Sequence, residues 1–438
     1  MDYQAQSWGR LQRVAHTALR LTSRLQNIAP FVASQPHVLP FGNGRSYGDS
    51  CMNPGGALLL TRGMDHFIQF DPALGILECE AGVLLDEIIR LVLPQGWFLP
   101  VTPGTRFVTV GGAIANDVHG KNHHRLGTFG CHVLEFGLQR SDGARLRCSA
   151  SQNPALFGAS IGGLGLTGLI TDARLQLRRV ANPWLDVETI PYADLREFYD
   201  LCLASDAEYE YTVAWVDCAG AKSGRGIFMR ANHAPALAAT PPPRAARQRR
   251  LPGTPPFSLI NPLTLKLLNS AYYHRARAGR SWQHCAPFFY PLDAVLEWNR
   301  AYGPRGFYQY QCVLPHRAGL AASQALLDAI GASGLGSFLA VLKLCGEPKS
   351  PGLLSFPLPG ISLALDFPNR GPSLHALFAR LDAIVQEAGG RLYAAKDARM
   401  PATLFQAGYP DWREFARHID PHFSSALWRR VSQTGSFA

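Results

Sequence analysis

The chain has 438 residues, of which 47% are apolar and 17% charged, so it is long enough to bury a large core in two or three domains. A formal net charge of +10 favours an anionic ligand or partner, but this balance is common in enzymes and does not by itself indicate nucleic-acid binding. The nine cysteines are scattered without CxxC spacing, which excludes a zinc knuckle and a disulfide framework and is typical of a reducing cytosol.

The first 180 residues predict an α+β region with many glycine turns. Three short strands are expected within residues 57–79, followed by an amphipathic helix that ends at Pro94-Gln95-Gly96. A hairpin turns at Ser141-Asp142-Gly143, and alternation between Leu169 and Val180 indicates a further strand.

Residues 231–256 are rich in proline and arginine and lack periodicity. We interpret them as a mobile loop, which is either a solvated excursion or a lid that faces substrate or membrane through Arg244, Arg247, Arg249 and Arg250. Later in the chain, apolar spacing from Leu374 to Val385 predicts a helix that ends at Gly389-Gly390. The strand "RLYAA" then follows and ends next to Lys396.

Four glycine-dense turns carry most of the functional inference: residues 42–48, 104–112, 120–130 and 162–168. None fits a Rossmann fingerprint, because "GGLGLTG" precedes a strand rather than a helix, and Walker A spacing also fails at Gly120-Lys121. Glycine lets backbone N–H groups approach a bulky anion closely, so these turns together indicate a long diphosphate ligand. A short helix predicted at Gly111-Gly112 would place its N-terminus near that ligand.

The motifs "PFGNGRSYGD", "TPGTRFVTVGGAIANDVHGKNHH", "GTFG" and "GGLGLTG" together resemble FAD-dependent oxidoreductases of the vanillyl-alcohol oxidase (PCMH-type FAD-binding) family. The stretches "EWNRAYGPRGFYQYQ", "LSFPLPG" and "GGRLYAAKDAR" resemble its polyprenylphosphoryl-ribose oxidases. The resemblance implies an α+β fold in which a two-subdomain FAD-binding domain, residues 1–183 and 391–438, receives an inserted antiparallel-sheet substrate domain, residues 184–390.

The resemblance also implies which residues contact FAD. The cofactor contacts would be Asn43, Gly44, Arg45, Ser46, Tyr47, Gly48, Asp49, Ser50, Gly104, Thr105, Thr109, Val110, Gly111, Gly112, Asn116, Asp117, Val118, His119, Ile170 and Tyr393. Covalently flavinylated relatives carry a histidine in the first glycine turn, where this chain has Gly44-Arg45-Ser46-Tyr47, so non-covalent FAD is expected.

By the same resemblance, Lys396 and His119 would be catalytic. The substrate contacts would be Tyr47, Lys121, Gln309, Gln311, Lys343 and Lys396.

Each assignment has a structural alternative. Lys396 could simply pair with Asp397, and His119 could be a hydrogen-bonded turn residue. Gln309 and Gln311 lie on one side of a strand, which could be a polar sheet face rather than a sugar site.

The histidines and the remaining lysines also leave alternatives. The buried Lys343 needs an anion, which could be a substrate phosphate or a carboxylate, and Lys121 could be solvated. His123 and His124 are expected to support their turn, and no metal site is predicted.

The resemblance implies oxidation of a sugar secondary alcohol, namely the 2′-hydroxyl of a polyprenylphosphoryl-β-D-ribose, to a 2′-keto sugar. This would be the first half of an epimerisation to arabinose, completed by a separate NAD(P)H-dependent keto-sugar reductase. An aldonolactone or alditol oxidase or dehydrogenase is the enzymatic alternative, and a polyanion-binding protein without redox chemistry is the other. We expect a cytoplasmic protein without transmembrane helices, with peripheral contact at the inner membrane and no nucleic-acid partner.

Overall fold

The computed structural model describes residues 1–219, 224–236 and 248–433, which form a mixed α/β protein with several sheets. The strands predicted within residues 57–79, the hairpin turned at 141–143 and the strand from Leu169 are confirmed. The helices predicted near residues 85, 111 and 374 are confirmed as well.

The N-terminal region contains two larger sheets. The four-stranded sheet has the order Asp2–Gln6, Arg13–Arg20, Ala57–Leu60, Val38–Phe41. The five-stranded antiparallel sheet has the order Phe67–Asp71, Ile76–Glu80, Leu169–Gln176, Val133–Gln139, Arg145–Ser149. The short strands Trp97–Phe98 and Arg178–Arg179 pair with each other.

Residues 184–392 build an antiparallel sheet of eight strands. Their order is Gly279–His284, Trp184–Tyr192, Gly226–His233, Tyr211–Val216, Ala340–Cys345, Gly360–Pro368, Phe307–Pro315, Arg391–Leu392. The helices Leu195–Ser205, His316–Ala332 and Pro372–Glu387 cover one face. Because side chains alternate along a strand, the other face is free to line a cavity.

The remaining helices are short, apart from Pro262–Arg275. The short helices are Ala29–Ala33, Leu85–Val92, Val110–Ala115, His123–Leu126, Pro154–Ser160, Cys285–Phe289, Ala402–Gly408, Trp412–His418 and Ala426–Val431. The 3₁₀ helices are Thr61–Gly63, Leu93–Gln95, Phe129–His132, Pro291–Ala294 and Trp298–Tyr302. None of the helices in the described ranges combines the length and apolarity that crossing a bilayer requires.

The interpretation of residues 231–256 as a mobile loop is wrong at both ends of this range. Residues 231–233 complete the strand Gly226–His233, because they pair with Trp184–Tyr192 through the ladder hydrogen bonds. Arg249–Arg250 pair in parallel with Val295–Leu296. Residues 237–247, with Arg244 and Arg247, lie outside the described residues.

The C-terminal residues return to the N-terminal region at the turn of residues 42–50. The Tyr47 amide donates to the Ala395 carbonyl at 3.1 Å, and the Asp49 amide donates to the Asp397 carbonyl at 3.3 Å. Arg430 bridges the two segments by donating to the carboxylates of Asp49 and Asp397. Gly48 lies between them, and a Cβ atom there would overlap the carbonyl oxygen of Asp397.

Replacing Gly48 with alanine is therefore expected to force the two segments apart. We predict a loss of at least about 2 kcal/mol in the free energy of unfolding, because the obstruction is backbone and cannot rotate away. The thermal midpoint of the FAD-loaded protein measures this. Gly253→Ala is the control, since nothing lies within 4 Å of a Cβ there. Equal midpoints for the two variants would contradict the prediction.

Candidate active site

One cavity of about 540 Å³ lies between the glycine turns and the open face of the eight-stranded sheet. Alternation along the strands explains its lining. Tyr310 and Cys312 pack towards the helices, whereas Gln309 and Gln311 face the cavity. The prediction that the two glutamines lie on one side of a strand is confirmed.

The cavity brings together most of the residues predicted from the sequence. Those that line it are Asn43, Gly44, Arg45, Ser46, Tyr47, Ser50, Gly104, Thr105, Thr109, Gly111, Gly112, Asn116, Val118, His119, Lys121, Ile170, Gln309, Gln311, Lys343, Tyr393 and Lys396. These residues are separated by up to several hundred positions in sequence, so the fold itself assembles the site.

Four predicted cofactor contacts, Gly48, Asp49, Val110 and Asp117, lie behind the cavity wall and do not line it. Gly48 allows the backbone approach at Asp397, and Asp49 pairs with Arg430 at 2.8 Å. Val110 is fully buried in the core.

Asp117 is completely buried and faces away from the cavity. Its carboxylate accepts hydrogen bonds from the Gly130 amide at 2.9 Å and from the Ser350 and Ser355 hydroxyls at 2.5 Å each. Its φ of 40° lies in the left-handed region, so these bonds stabilise an unfavourable backbone conformation. Asp117 therefore supports the wall from behind.

The turn of residues 43–46 forms an anion cradle. Its four consecutive backbone N–H groups make no hydrogen bond with the described residues. Two buried polar atoms that line the same cavity, Ser50 Oγ and Arg45 Nε, also lack a partner in the described ranges. Successive free N–H groups of this kind hold phosphate or diphosphate oxygens.

The helix at Gly111-Gly112 contributes differently from the expectation. The Val110 and Gly111 amides donate to the carbonyls of Val83 and Ala81, and the Gly112 amide donates to Thr109 Oγ1. The first N–H groups of this helix are thus already satisfied, so it shapes the cavity rather than presenting free donors to it.

Lys396 reaches the cavity from the returning C-terminal segment. Its Nζ lies 3.8 Å from the centroid of the Tyr47 ring, a cation–π geometry. Asp397 accepts from the Arg399 and Met400 amides and from Arg430 instead. The alternative in which Lys396 is a salt-bridge partner of Asp397 is therefore wrong. Burial lowers the pKa of Lys396 below the ordinary lysine range, although the charge of Asp366 opposes this.

Asp366 is a functional candidate that the sequence reasoning missed. It lies directly opposite Gln309 in the ladder, and Gln309 Nε2 donates to its carboxylate at 2.5 Å. It lines the cavity, is 1% exposed, and burial raises the pKa of its carboxyl. The available signal was a single acidic residue in the apolar strand "ISLALDF".

His119 connects the glycine turn to the sheet. Its Nδ1 contacts the Lys343 ammonium, and its Nε2 lies 3.2 Å from the Gln311 amide nitrogen. Lys343 Nζ and Gln311 Nε2 thus both approach the ring as donors, and a neutral imidazole can accept from only one of them. Burial and the neighbouring Lys343 lower the pKa of His119 well below its ordinary value, which keeps the ring neutral.

Lys343 and Lys121 both line the cavity without a carboxylate partner among the described residues. Lys343 donates to the Gly120 carbonyl at 3.1 Å, and Lys121 donates to the Phe288 carbonyl. Burial lowers the pKa of Lys343 to about 8 and that of Lys121 to about 7. The alternative in which a carboxylate of the described residues pairs with Lys343 is therefore wrong.

His123 and His124 do not line the cavity. They begin the short helix His123–Leu126, and His124 Nε2 lies 3.0 Å from the Tyr209 carbonyl. Within the described ranges, no group of three His, Cys, Asp or Glu side chains could hold a metal ion. His119, His123 and His124 therefore lie in separate environments and do not converge on one ligand.

Comparisons with known proteins agree with this site. Residues 22–149 match the family model described as an FAD binding domain. Decaprenylphosphoryl-beta-D-ribose oxidase of Mycolicibacterium smegmatis is 37% identical over 415 residues, which cover 90% of this chain and 89% of the relative.

Two further relatives differ in how much of the chain they match. A Streptomyces coelicolor protein described as uncharacterized, in the mprA 5′ region, is 37% identical over 80% of this chain and all of its own length. Cytokinin dehydrogenase 2 of Arabidopsis thaliana is 30% identical over 35% of this chain and 31% of its own length.

The cavity fits FAD on structural grounds. The free N–H groups of residues 43–46, with the unpaired Ser50 hydroxyl, suit the diphosphate, and the walls at Ile170 and Tyr393 suit a ring system. FAD is thus the cofactor and the chain is an enzyme. The chain belongs to the FAD-dependent oxidoreductases with a PCMH-type FAD-binding domain, the family that includes decaprenylphosphoryl-β-D-ribose oxidase.

Proposed function

We propose that this enzyme oxidises the 2′-hydroxyl of a polyprenylphosphoryl-β-D-ribose to the 2′-keto sugar. One observation carries this proposal. The same cavity contains amide and amine groups that suit a sugar, and it also contains two lysines that have no carboxylate partner among the described residues. The name of the Mycolicibacterium smegmatis relative supports the same substrate class.

The flavin, when bound, accepts the hydride that leaves the sugar carbon. The hydroxyl proton must then pass to a base of this chain, and we assign that role to the neutral form of Lys396. A pKa lowered by burial makes the free amine available closer to neutral pH than in an ordinary lysine.

Asp366 is proposed to position Lys396 electrostatically. The hydrogen bond from Gln309 and the bond from its own amide to Ser337 Oγ at 2.9 Å fix Asp366 in the strand. Its charge opposes the effect of burial on Lys396, so the pair sets how much neutral amine is present at a given pH.

His119 and Gln311 are proposed to orient the sugar. Lys343 contacts Nδ1 of His119, and Phe356 and Tyr393 pack against its ring at centroid distances of 5.4 Å each. A neutral, immobile imidazole next to an amide can bind a hydroxyl without titrating in the working range.

Lys343 and Lys121 are proposed to bind the phosphate that links sugar and lipid. A buried ammonium whose partners are all neutral is incompletely compensated, and a phosphate would complete it. These partners are carbonyl oxygens and, for Lys343, also the His119 ring. An unphosphorylated aldonolactone or alditol, the alternative substrate class, would leave both charges uncompensated.

The domain and pathway assignments are part of the same proposal. Residues 184–390 would be the substrate-binding domain inserted into the FAD-binding domain, and FAD would be held without a covalent bond. The keto product would pass to a separate NAD(P)H-dependent reductase, which completes epimerisation to arabinose.

Anaerobic bleaching of the flavin absorbance tests the substrate class. We expect polyprenylphosphoryl-β-D-ribose to bleach the holoenzyme, and alditols and aldonolactones to bleach it at least about a hundredfold less efficiently, because they lack the phosphate. Lys343→Met should raise KM for the phosphorylated substrate about tenfold or more.

Lys349→Met is the matched control, since Lys349 is exposed and does not line the cavity. Bleaching by an alditol as efficient as by the phosphorylated ribose would favour the alternative enzyme class.

The pH dependence of kcat/KM tests the Lys396–Asp366 pair. The neutral amine is the active form, so kcat/KM should rise with pH through the pKa of Lys396 and level off above it. Asp366→Asn removes the charge that raises this pKa, so the rise should move to lower pH by about one unit.

Asp328→Asn, on the helix that covers the opposite face of the sheet, should leave the profile unchanged. A kcat/KM that falls over the same range would show that the ammonium, not the amine, is the active form.

A further inference from the structure

The helix Pro262–Arg275 presents three of its four leucines to solvent, and only Leu265 is buried. Leu263 is 70% exposed and Leu267 and Leu268 are also exposed, whereas the polar Asn269 is 1% exposed and donates to Asp217 at 2.9 Å. A surface helix normally buries its leucines and exposes its polar residues. Leu263, Leu267 and Leu268 therefore face away from the described chain.

The exposed apolar residues extend beyond the helix. Of the fifteen large apolar side chains exposed in the described ranges, six lie within residues 257–272. We use the name leucine face for five of them: Phe257, Leu259, Leu263, Leu267 and Leu268. Exposed apolar side chains concentrated in one short segment indicate an interaction site.

The charge around the leucine face has one sign. Between Asp217 and Asp293 the sequence contains eleven lysines and arginines and no acidic residue, although the whole chain carries a net charge of only +10. Arg249, Arg250, Lys266, Arg275 and Arg277 are exposed, and none of them forms an ion pair with the described residues. The surface therefore complements an anionic partner.

The leucine face adjoins the mouth of the cavity. Tyr272, on the same helix, lines the cavity and is 42% exposed, and Val341 lines it and is 38% exposed. Arg249–Arg250 pair with Val295–Leu296, both of which also line the cavity. Whatever covers the leucine face thus lies at the entrance to the active site.

We propose that the leucine face docks on an anionic lipid bilayer. Leucine and phenylalanine side chains on an interfacial helix enter the boundary between headgroups and acyl chains, while surrounding lysines and arginines bind the anionic headgroups. The combination of apolar and unpaired basic residues fits this partner better than a protein, whose acidic groups would have to match five separate cations. Docking concerns the surface alone and does not depend on the proposed sugar chemistry.

Vesicle sedimentation of the FAD-loaded full chain, without substrate, tests the proposal. We expect binding to vesicles of phosphatidylcholine with about one third phosphatidylglycerol, and at least about tenfold weaker binding to pure phosphatidylcholine. Raising NaCl from about 0.1 M to about 0.5 M should weaken binding to the anionic vesicles. The double variant Leu263→Ser/Leu267→Ser should bind at least about tenfold more weakly, with unchanged FAD content.

The matched control is Leu74→Ser/Leu203→Ser, which removes two leucines of similar exposure, 61% and 55%, from other parts of the chain and should bind like the parent. Equal binding by the two double variants, or no preference for anionic vesicles, would overturn the proposal. A dimer that Leu263→Ser/Leu267→Ser dissociates, in a protein that does not bind vesicles, would overturn it in favour of self-association. Flavin bleaching is measured separately, so failure of docking and failure of the proposed reaction are distinguishable.

Discussion

The active site depends on the contact between the turn of residues 42–50 and the segment that follows Tyr393. The two backbones approach so closely at Gly48 that no side chain fits there, and Arg430 neutralises the two aspartates on either side. This contact joins an anion cradle, formed early in the chain, to Lys396, which comes from its last tenth. Backbone packing therefore fixes the backbone of Lys396 relative to the anion cradle.

The chemistry of the cavity follows from burying several charges in one place. The open face of the eight-stranded sheet carries Lys343 and Asp366, and the turns add Arg45 and Lys121. Asp366 accepts from the neutral Gln309 amide, Lys121 and Lys343 donate to carbonyl oxygens, and Lys343 also contacts His119. Because burial makes the charge on each group costly, it lowers the pKa values of the lysines. It also favours the binding of an anion next to them. The phosphate of the proposed substrate would supply that anion.

The sequence could predict the elements and the composition of the site, but not which residue of a motif faces inward. The family resemblance supplied the site roles of Gln309, Gln311 and Lys396, and alternation placed the two glutamines on one side of a strand. Asp366 was missed because its partner is 57 positions away and only the strand register pairs them. Asp117 was assigned to the cofactor because it lies among residues that were assigned to it. Its carboxylate faces away from the cavity because it accepts hydrogen bonds from serines more than 230 positions later in the chain.

The central claim is that the returning C-terminal segment supplies the base. Single-turnover flavin reduction by substrate in Lys396→Met tests it most directly, because this variant keeps the length and apolar stem of the side chain but removes its amine. The account predicts normal FAD content and a reduction rate at least about a hundredfold below that of the unmodified enzyme. Reduction at the unmodified rate would contradict the assignment of Lys396 as the proton acceptor.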